Sequence, residues 1–271
     1  VGALLSQLLL WIIVLKKHKL VRVKFCHIIQ HLKPNLILFI PVIAVSVYRT
    51  MDKIMLGLMS NMTQVGYYEN AEKIVSILLS FITALGTVML PRMSALFESK
   101  DKKQTDKMLN SSIVFVSFVA SIVAFGVAAI ANTLVVVYYG KDYFSSGIIL
   151  QLLCITVPFI SYANIVRMQV LVPQGKDRAY VLSCFVGAVV NLGINAVLIP
   201  QFQAVGAAIG TIVAEFSVLF IQFIFAKEEL HISTNKKSIF CFWINGLIMF
   251  TTIFILLETS YSLIGLIEQI A

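Results

Sequence analysis

Apolar runs of 20 to 29 residues alternate along the chain with short polar stretches. The runs fall at 36–59, 74–95, 111–139, 147–171, 179–199, 204–226 and 238–257, with the end of another at 1–15 and the start of one more at 259–271. An α-helix rises ~1.5 Å per residue, so about 20 apolar residues cross a hydrocarbon core. The pattern therefore predicts a string of membrane-spanning helices, antiparallel where the connections are short. No run shows the period-two alternation of a strand. The expected fold class is all-α, a polytopic transmembrane helix bundle. The expected organisation is a basic linker with the end of a span (1–35), followed by a transmembrane lobe of about seven spans plus a truncated one (36–271).

Charge supports the same layout. Lys and Arg number six in 16–35, five in 92–110, three in 167–178 and three in 227–237, against one each in 60–73 and 140–146 and none in 200–203 or 258–262. Alternate loops are thus basic, and the positive-inside rule places the basic set in the cytoplasm. Stretch 16–35 interleaves Leu20, Val21, Val23, Phe25, Ile28 and Ile29 with its cations, as a helix lying on the inner leaflet would. The hydrophobic fraction of 59% and charged fraction of 13% compare with about 45–50% and about 25% in soluble domains. The net charge of +8 resides in membrane loops, with no basic patch interleaved with aromatics, so no nucleic-acid partner is expected. The chain starts at Val1 inside an apolar run, which reads as a fragment whose upstream part is missing.

Candidate chemistry begins where the apolar pattern is broken. Arg49, Asp52 and Lys53 interrupt the run 36–59, and at i, i+3 and i+4 they are expected to project from one face. A charge within the membrane costs at least about 2.5 kcal/mol and usually faces a bundle interior or a wet path. Arg offers a planar fork and Lys a point charge, both suited to phosphate oxygens, with Asp52 holding the cations apart or taking a proton. The alternatives are a self-neutralised cluster or charges that snorkel to the outer surface. Glu215 lies mid-run beside Ala207, Ala208, Gly210 and Ala214, where a helix-pairing and a coupling role are both open. Asn191, Asn195, Asn164 and Gln169 either bond between helices or line a hydrophilic cavity. Pro41 and Pro158, inside spans, and Pro91, near the end of one, are expected to kink their helices.

The remaining signals are negative. Cys26, Cys154, Cys184 and Cys241 occupy separate segments without CxxC spacing and read as small buried hydrophobes. His27 and His31 lack a further ligand, so no metal site is expected. No GK[ST] glycine loop and no nucleophile–histidine arrangement is readable, so neither a cofactor nor an enzymatic role is expected.

The stretch around Arg49, Asp52, Lys53 and Gly57, then Val65-Gly66-Tyr67-Tyr68 through Lys73, then Leu90-Pro91-Arg92, resembles bacterial O-antigen and capsule repeat-unit flippases. These belong to the multidrug/oligosaccharidyl-lipid/polysaccharide exporter superfamily. Pro173-Gln174-Gly175-Lys176, Asn191 through Pro200 and Val205-Gly206 through Gly210-Thr211 are similar to the same family. The resemblance implies one lobe of a two-lobe, MATE-like exporter in the bacterial inner (plasma) membrane, working by alternating access. It implies export of undecaprenyl-pyrophosphate-linked oligosaccharide for lipopolysaccharide or capsule, Arg49 and Lys53 contacting the pyrophosphate and Asp52 tuning them. Membrane lipids and other polysaccharide-assembly proteins are the implied partners. The rival readings are a peptidoglycan lipid precursor flippase, an ion-coupled drug exporter, and a membrane-embedded polysaccharide polymerase or ligase.

Overall fold

A computed structural model divides the chain into two compact units, residues 1–43 and 44–271. The structure describes residues 7, 8, 10, 11, 15, 16, 50–230 and 236–270, the last stretch by backbone alone from 257. Arg49, Pro41, Cys26, His27, His31 and the expected surface helix of 16–35 lie outside the described residues, apart from Lys16, which is helical and exposed.

All secondary structure among the described residues is helical. In the second unit, residues 50–59 are helical (α1). There follow α2 (Met62–Glu98), α3 (Lys102–Tyr139), a 3-10 turn (Lys141–Tyr143), α4 (Ser146–Cys154), α5 (Thr156–Val166) with a π-helical turn (Arg167–Leu171), α6 (Asp177–Ala226) and α7 (Lys236–Ile270). Among the described residues, five stretches are long and apolar enough to cross a membrane, namely α2, α3, Ser146–Leu171, α6 and the part of α7 up to Leu256. The chain is a polytopic all-α membrane bundle.

Helices run further into the polar stretches than apolarity alone predicts. The expected loop 60–73 is helical from Met62, where Asn61 Oδ1 accepts from Gln64 N at 3.0 Å. The expected loop 92–110 shrinks to 99–101, with Asp101 capping α3 through Gln104 N at 3.0 Å. The break expected at 258–262 is absent, because α7 continues to Ile270. Side-chain caps and intrahelical bonds satisfy the backbone in polar turns, which therefore need no apolar residues to stay helical.

Proline does act as expected in the third span. Pro158 removes the N–H that would bond the Cys154 carbonyl, and the helix breaks between Cys154 and Thr156. Thr156 Oγ1 covers the neighbouring Leu153 carbonyl at 2.6 Å, a side-chain repair available in a medium without water.

The inside of the bundle mixes large apolar side chains, such as Leu56, Ile82, Met93 and Leu150, with small-residue packing along α3. α3 buries Ser112, Val116, Ser117, Ala120, Ser121 and Ala124, and packs on α2, α4, α5 and α7. Its hydroxyls bond back to their own helix, as Ser117 does to the Ile113 carbonyl at 2.6 Å, so polar atoms pack without loss. Other large apolar side chains point outward, among them Ile77, Phe81, Val88 and Val137. That is the arrangement expected of a surface facing lipid. Cys154 is buried as expected, Cys184 is half-buried, and Cys241 is exposed on this outer surface, a correction to its reading as a core residue.

α6 is a hairpin. Gln203, at φ 53° and ψ −128°, folds the 50 helical residues into two antiparallel arms, the two runs 179–199 and 204–226 of the sequence pattern. Across the arms Gly187 meets Val218, Gly210 meets Asn195, and Gln222 Nε2 donates to Ser183 Oγ at 3.1 Å. At the tip, a Cβ added to Gly206 would stand 2.6 Å from the Leu198 carbonyl carbon, so the arms approach to backbone contact only because of glycine. Gly206→Ala should accordingly cost about 1–3 kcal/mol by overpacking, read as a lower melting temperature in detergent. Gly193→Ala, with open space around the added carbon, should leave it unchanged. Equal melting temperatures would show that the arms are not in close contact.

Candidate functional site

The hairpin, α1 and the first turns of α2 meet around one carboxylate. Asp52 is 6% exposed. Its Oδ1 accepts from Asn191 Nδ2 at 2.9 Å and Asn195 Nδ2 at 2.6 Å, both on the first arm of α6. Its Oδ2 accepts from Tyr68 Oη of α2 at 3.0 Å and Thr211 Oγ1 of the second arm at 3.1 Å. Tyr68 and Thr211 are also 2.8 Å from each other, and Asn195 Nδ2 donates to Asn191 Oδ1 at 3.0 Å. Four neutral donors on three elements thus hold one buried charge. No ion pair among the described residues includes Asp52.

Local sequence explains the convergence. Asn191 and Asn195 are one helical turn apart and share a face. Gly210 lies opposite, where any Cβ would collide with the Asn195 amide oxygen. That oxygen is buried and has no hydrogen-bond partner. Buried polar atoms are nearly always partnered, so this unmatched acceptor beside the cradle is an exception that calls for an explanation.

Lys53 takes another direction. Its Nζ pairs with Glu72 of α2 at 3.0 Å, with both side chains about one-third exposed or less. Successive helix positions are about 100° apart, so the expected common face for Asp52 and Lys53 is corrected: the carboxylate enters the hairpin and the ammonium faces α2. The structure brings Asp52, Asn191 and Asn195 together and leaves Lys53 beside them.

A cavity of about 350 Å³ opens from Asp52. Among the described residues its lining holds the carboxylates Asp52, Glu72 and Glu215 and neither lysine nor arginine, so its described wall is acidic rather than cationic. Tyr68, Glu72 and Thr211 were not singled out as site residues in the sequence. One signal was readable: Glu72, Ser76, Ser80, Thr83 and Thr87 recur at helical spacing, and in the structure this stripe of α2 is exposed or half-buried. Ser76, Ser80 and Thr83 belong to the cavity wall. Asn164 and Gln169 are buried near the far end of the third span, away from Asp52.

Tyr68→Phe removes one donor from a charged acceptor and should cost about 1.5–3 kcal/mol, measured as a lower thermal midpoint of the intact protein. Tyr67→Phe, whose ring packs edge-on against Tyr143, should cost less. If both changes cost the same, the Tyr68 bond to Asp52 is not holding the cradle together.

Comparison with known proteins places these features in a family. The family described as Lipid II flippase MurJ matches residues 1–267. An uncharacterized membrane protein of Methanocaldococcus jannaschii is 30% identical over 70% of this chain and 38% of its own length. A putative O-antigen transporter of Shigella dysenteriae is 26% identical over 71% of this chain and 48% of its own. The lipid II flippase MurJ of Bacillus subtilis is 24% identical over 58% and 29%. The chain thus spans between about a third and a half of the length of these curated relatives.

Proposed function

The chain belongs to the lipid II flippase MurJ family, and on that premise we propose that it is the cation-coupled lobe of a plasma-membrane flippase for polyprenyl-pyrophosphate-linked saccharides. The observation that carries this reading is the Asp52 cradle, a buried carboxylate that meets neutral hydroxyl and amide groups among the described residues, beside a cavity lined by two further carboxylates. A pyrophosphate-sugar head group cannot cross hydrocarbon unaided, and a wet passage lowers that barrier. The polar stripe of α2 gives this lobe a hydrophilic face along which the head group travels, while the lipid tail stays in the bilayer.

In this reading Arg49 and Lys53 meet the pyrophosphate. Glu72 keeps Lys53 neutralised until phosphate oxygens replace it, an exchange of one charge-assisted bond for another. Asp52 faces the other way and serves coupling. The groups around it are all hard oxygens once the two amides turn: the carboxylate, Asn191 and Asn195 Oδ1, Thr211 Oγ1 and Tyr68 Oη. Such a set fits a small monovalent cation or a proton, and the orphaned Asn195 oxygen is the acceptor left over for it. Binding there removes the cost of a bare buried charge and so biases the lobe toward one conformation.

The substrate is an O-antigen or capsule repeat unit, or a peptidoglycan lipid precursor; both carry the same pyrophosphate-saccharide chemistry, and relatives named for each are matched. Arg49→Ala in the intact protein should abolish appearance of the saccharide on the outer leaflet at normal expression. Normal export would remove Arg49 from the site. Asp52→Asn should stop transport as well. In wild type, sodium against choline at fixed pH should raise the thermal midpoint, and in Asp52→Asn it should not. A wild-type midpoint indifferent to sodium assigns the cradle to a proton instead.

A further inference from the structure

The cavity at Asp52 does not end at the cradle. A second cavity of about 90 Å³ is lined by Asn164, Arg167, Tyr180, Cys184 and Gln222 and shares Thr83, Ile160 and Glu215 with the first. Along the second arm of α6 the wall residues run Thr211, Glu215, Gln222, a span of about 17 Å at ~1.5 Å per residue. The two cavities therefore adjoin, meeting at Glu215, Thr83 and Ile160. The far chamber lies at the end that the positive-inside pattern assigns to the cytoplasm.

The far chamber is polar in a way that requires water. Asn164 Nδ2, Arg167 Nε and Gln222 Oε1 are buried without hydrogen-bond partners, and Asn164 and Gln222 are 4% and 1% exposed. All three residues line a space with room for a few waters, each of which needs two to four polar partners. At its end the helix changes to a π-turn, Arg167–Leu171, and π-turns re-aim side chains. Arg167 is turned over the Tyr180 ring, 5.2 Å from its centroid, and its guanidinium donates to Tyr180 Oη at 3.3 Å.

We propose that Arg167 is an electrostatic plug in a hydrated file running from Asp52 past Glu215, stopping coupling cations from leaking through the lobe to the cytoplasm. This rests on the coupling reading of Asp52. A carrier that lets its ion pass without a conformational step dissipates the gradient, and a fixed guanidinium in a narrow wet passage repels protons and alkali cations alike. Glu215 lines both chambers and so lies on the path between Asp52 and Arg167. Tyr180 fixes the guanidinium across the passage by stacking.

The test uses the intact protein reconstituted in phosphatidylethanolamine–phosphatidylglycerol vesicles, with imposed proton and sodium gradients in separate arms. Arg167→Gln should discharge one of the gradients about tenfold faster than wild type, and Arg167→Lys, which keeps the charge, should not. Adding Glu215→Gln to Arg167→Gln should suppress the leak. A folded Arg167→Gln protein with wild-type flux in both arms overturns the plug. Should that variant fail to fold, wild-type Cys184 is the probe, since it lines the far chamber. A small charged thiol reagent, with sites mapped by mass spectrometry, should modify Cys184 and spare buried Cys154. Protection of Cys184 equal to that of Cys154 overturns the hydrated file. Saccharide flipping measured in the same vesicles separates failure of the plug from failure of the flippase reading.

Discussion

One buried carboxylate organises this lobe. A charge removed from water is costly unless every lone pair is met, and removing one partner of such a charge leaves the rest unmatched. Asp52 meets that demand with bonds to α2 and to both arms of α6. Elements distant in sequence, from Asp52 to Thr211, are thereby fixed to a common centre. The glycines follow from the same demand. Gly210 leaves space for the Asn195 amide, and Gly206 lets the arms close above it.

Among the described residues, neutral donors rather than a cationic partner meet this centre and make it responsive. A salt bridge to lysine or arginine would cancel the charge permanently. Amide and hydroxyl groups supply hydrogen bonds without a positive charge, so that a positive species still lowers the energy of an ionised carboxylate there. Lys53 is kept out by its own partner, Glu72, one helix away. An ion pair and a carboxylate held by neutral groups thus sit side by side on successive residues.

Much of the fold was legible in the sequence because membrane-spanning helices announce themselves by length and apolarity. The division of Asp177–Ala226 into two arms was readable from the short interruption at 200–203. The ends were not, because Met62–Lys73 and 102–110 are polar turns stabilised by caps that apolarity does not register. Of the site, Asp52, Asn191 and Asn195 stood out as polar groups in apolar runs. Their mutual contact did not, since nothing local joins residue 52 to residue 195. Tyr68 and Glu72 were hidden by being read as loop, and the divergence of Lys53 from Asp52 is a matter of helical angle that spacing i, i+3, i+4 obscures.

α2 presents two unlike surfaces along its length. Glu72, Ser76, Ser80, Thr83 and Thr87 follow one line, while Ile77, Phe81 and Val88 follow another and are more than half exposed. Water wets the first and hydrocarbon the second, so the helix is a seam between two solvents. A molecule with a charged end and an oily end, drawn to that seam, is oriented by partition alone: each end finds its own medium on its own side of a single helix, before any specific contact is made.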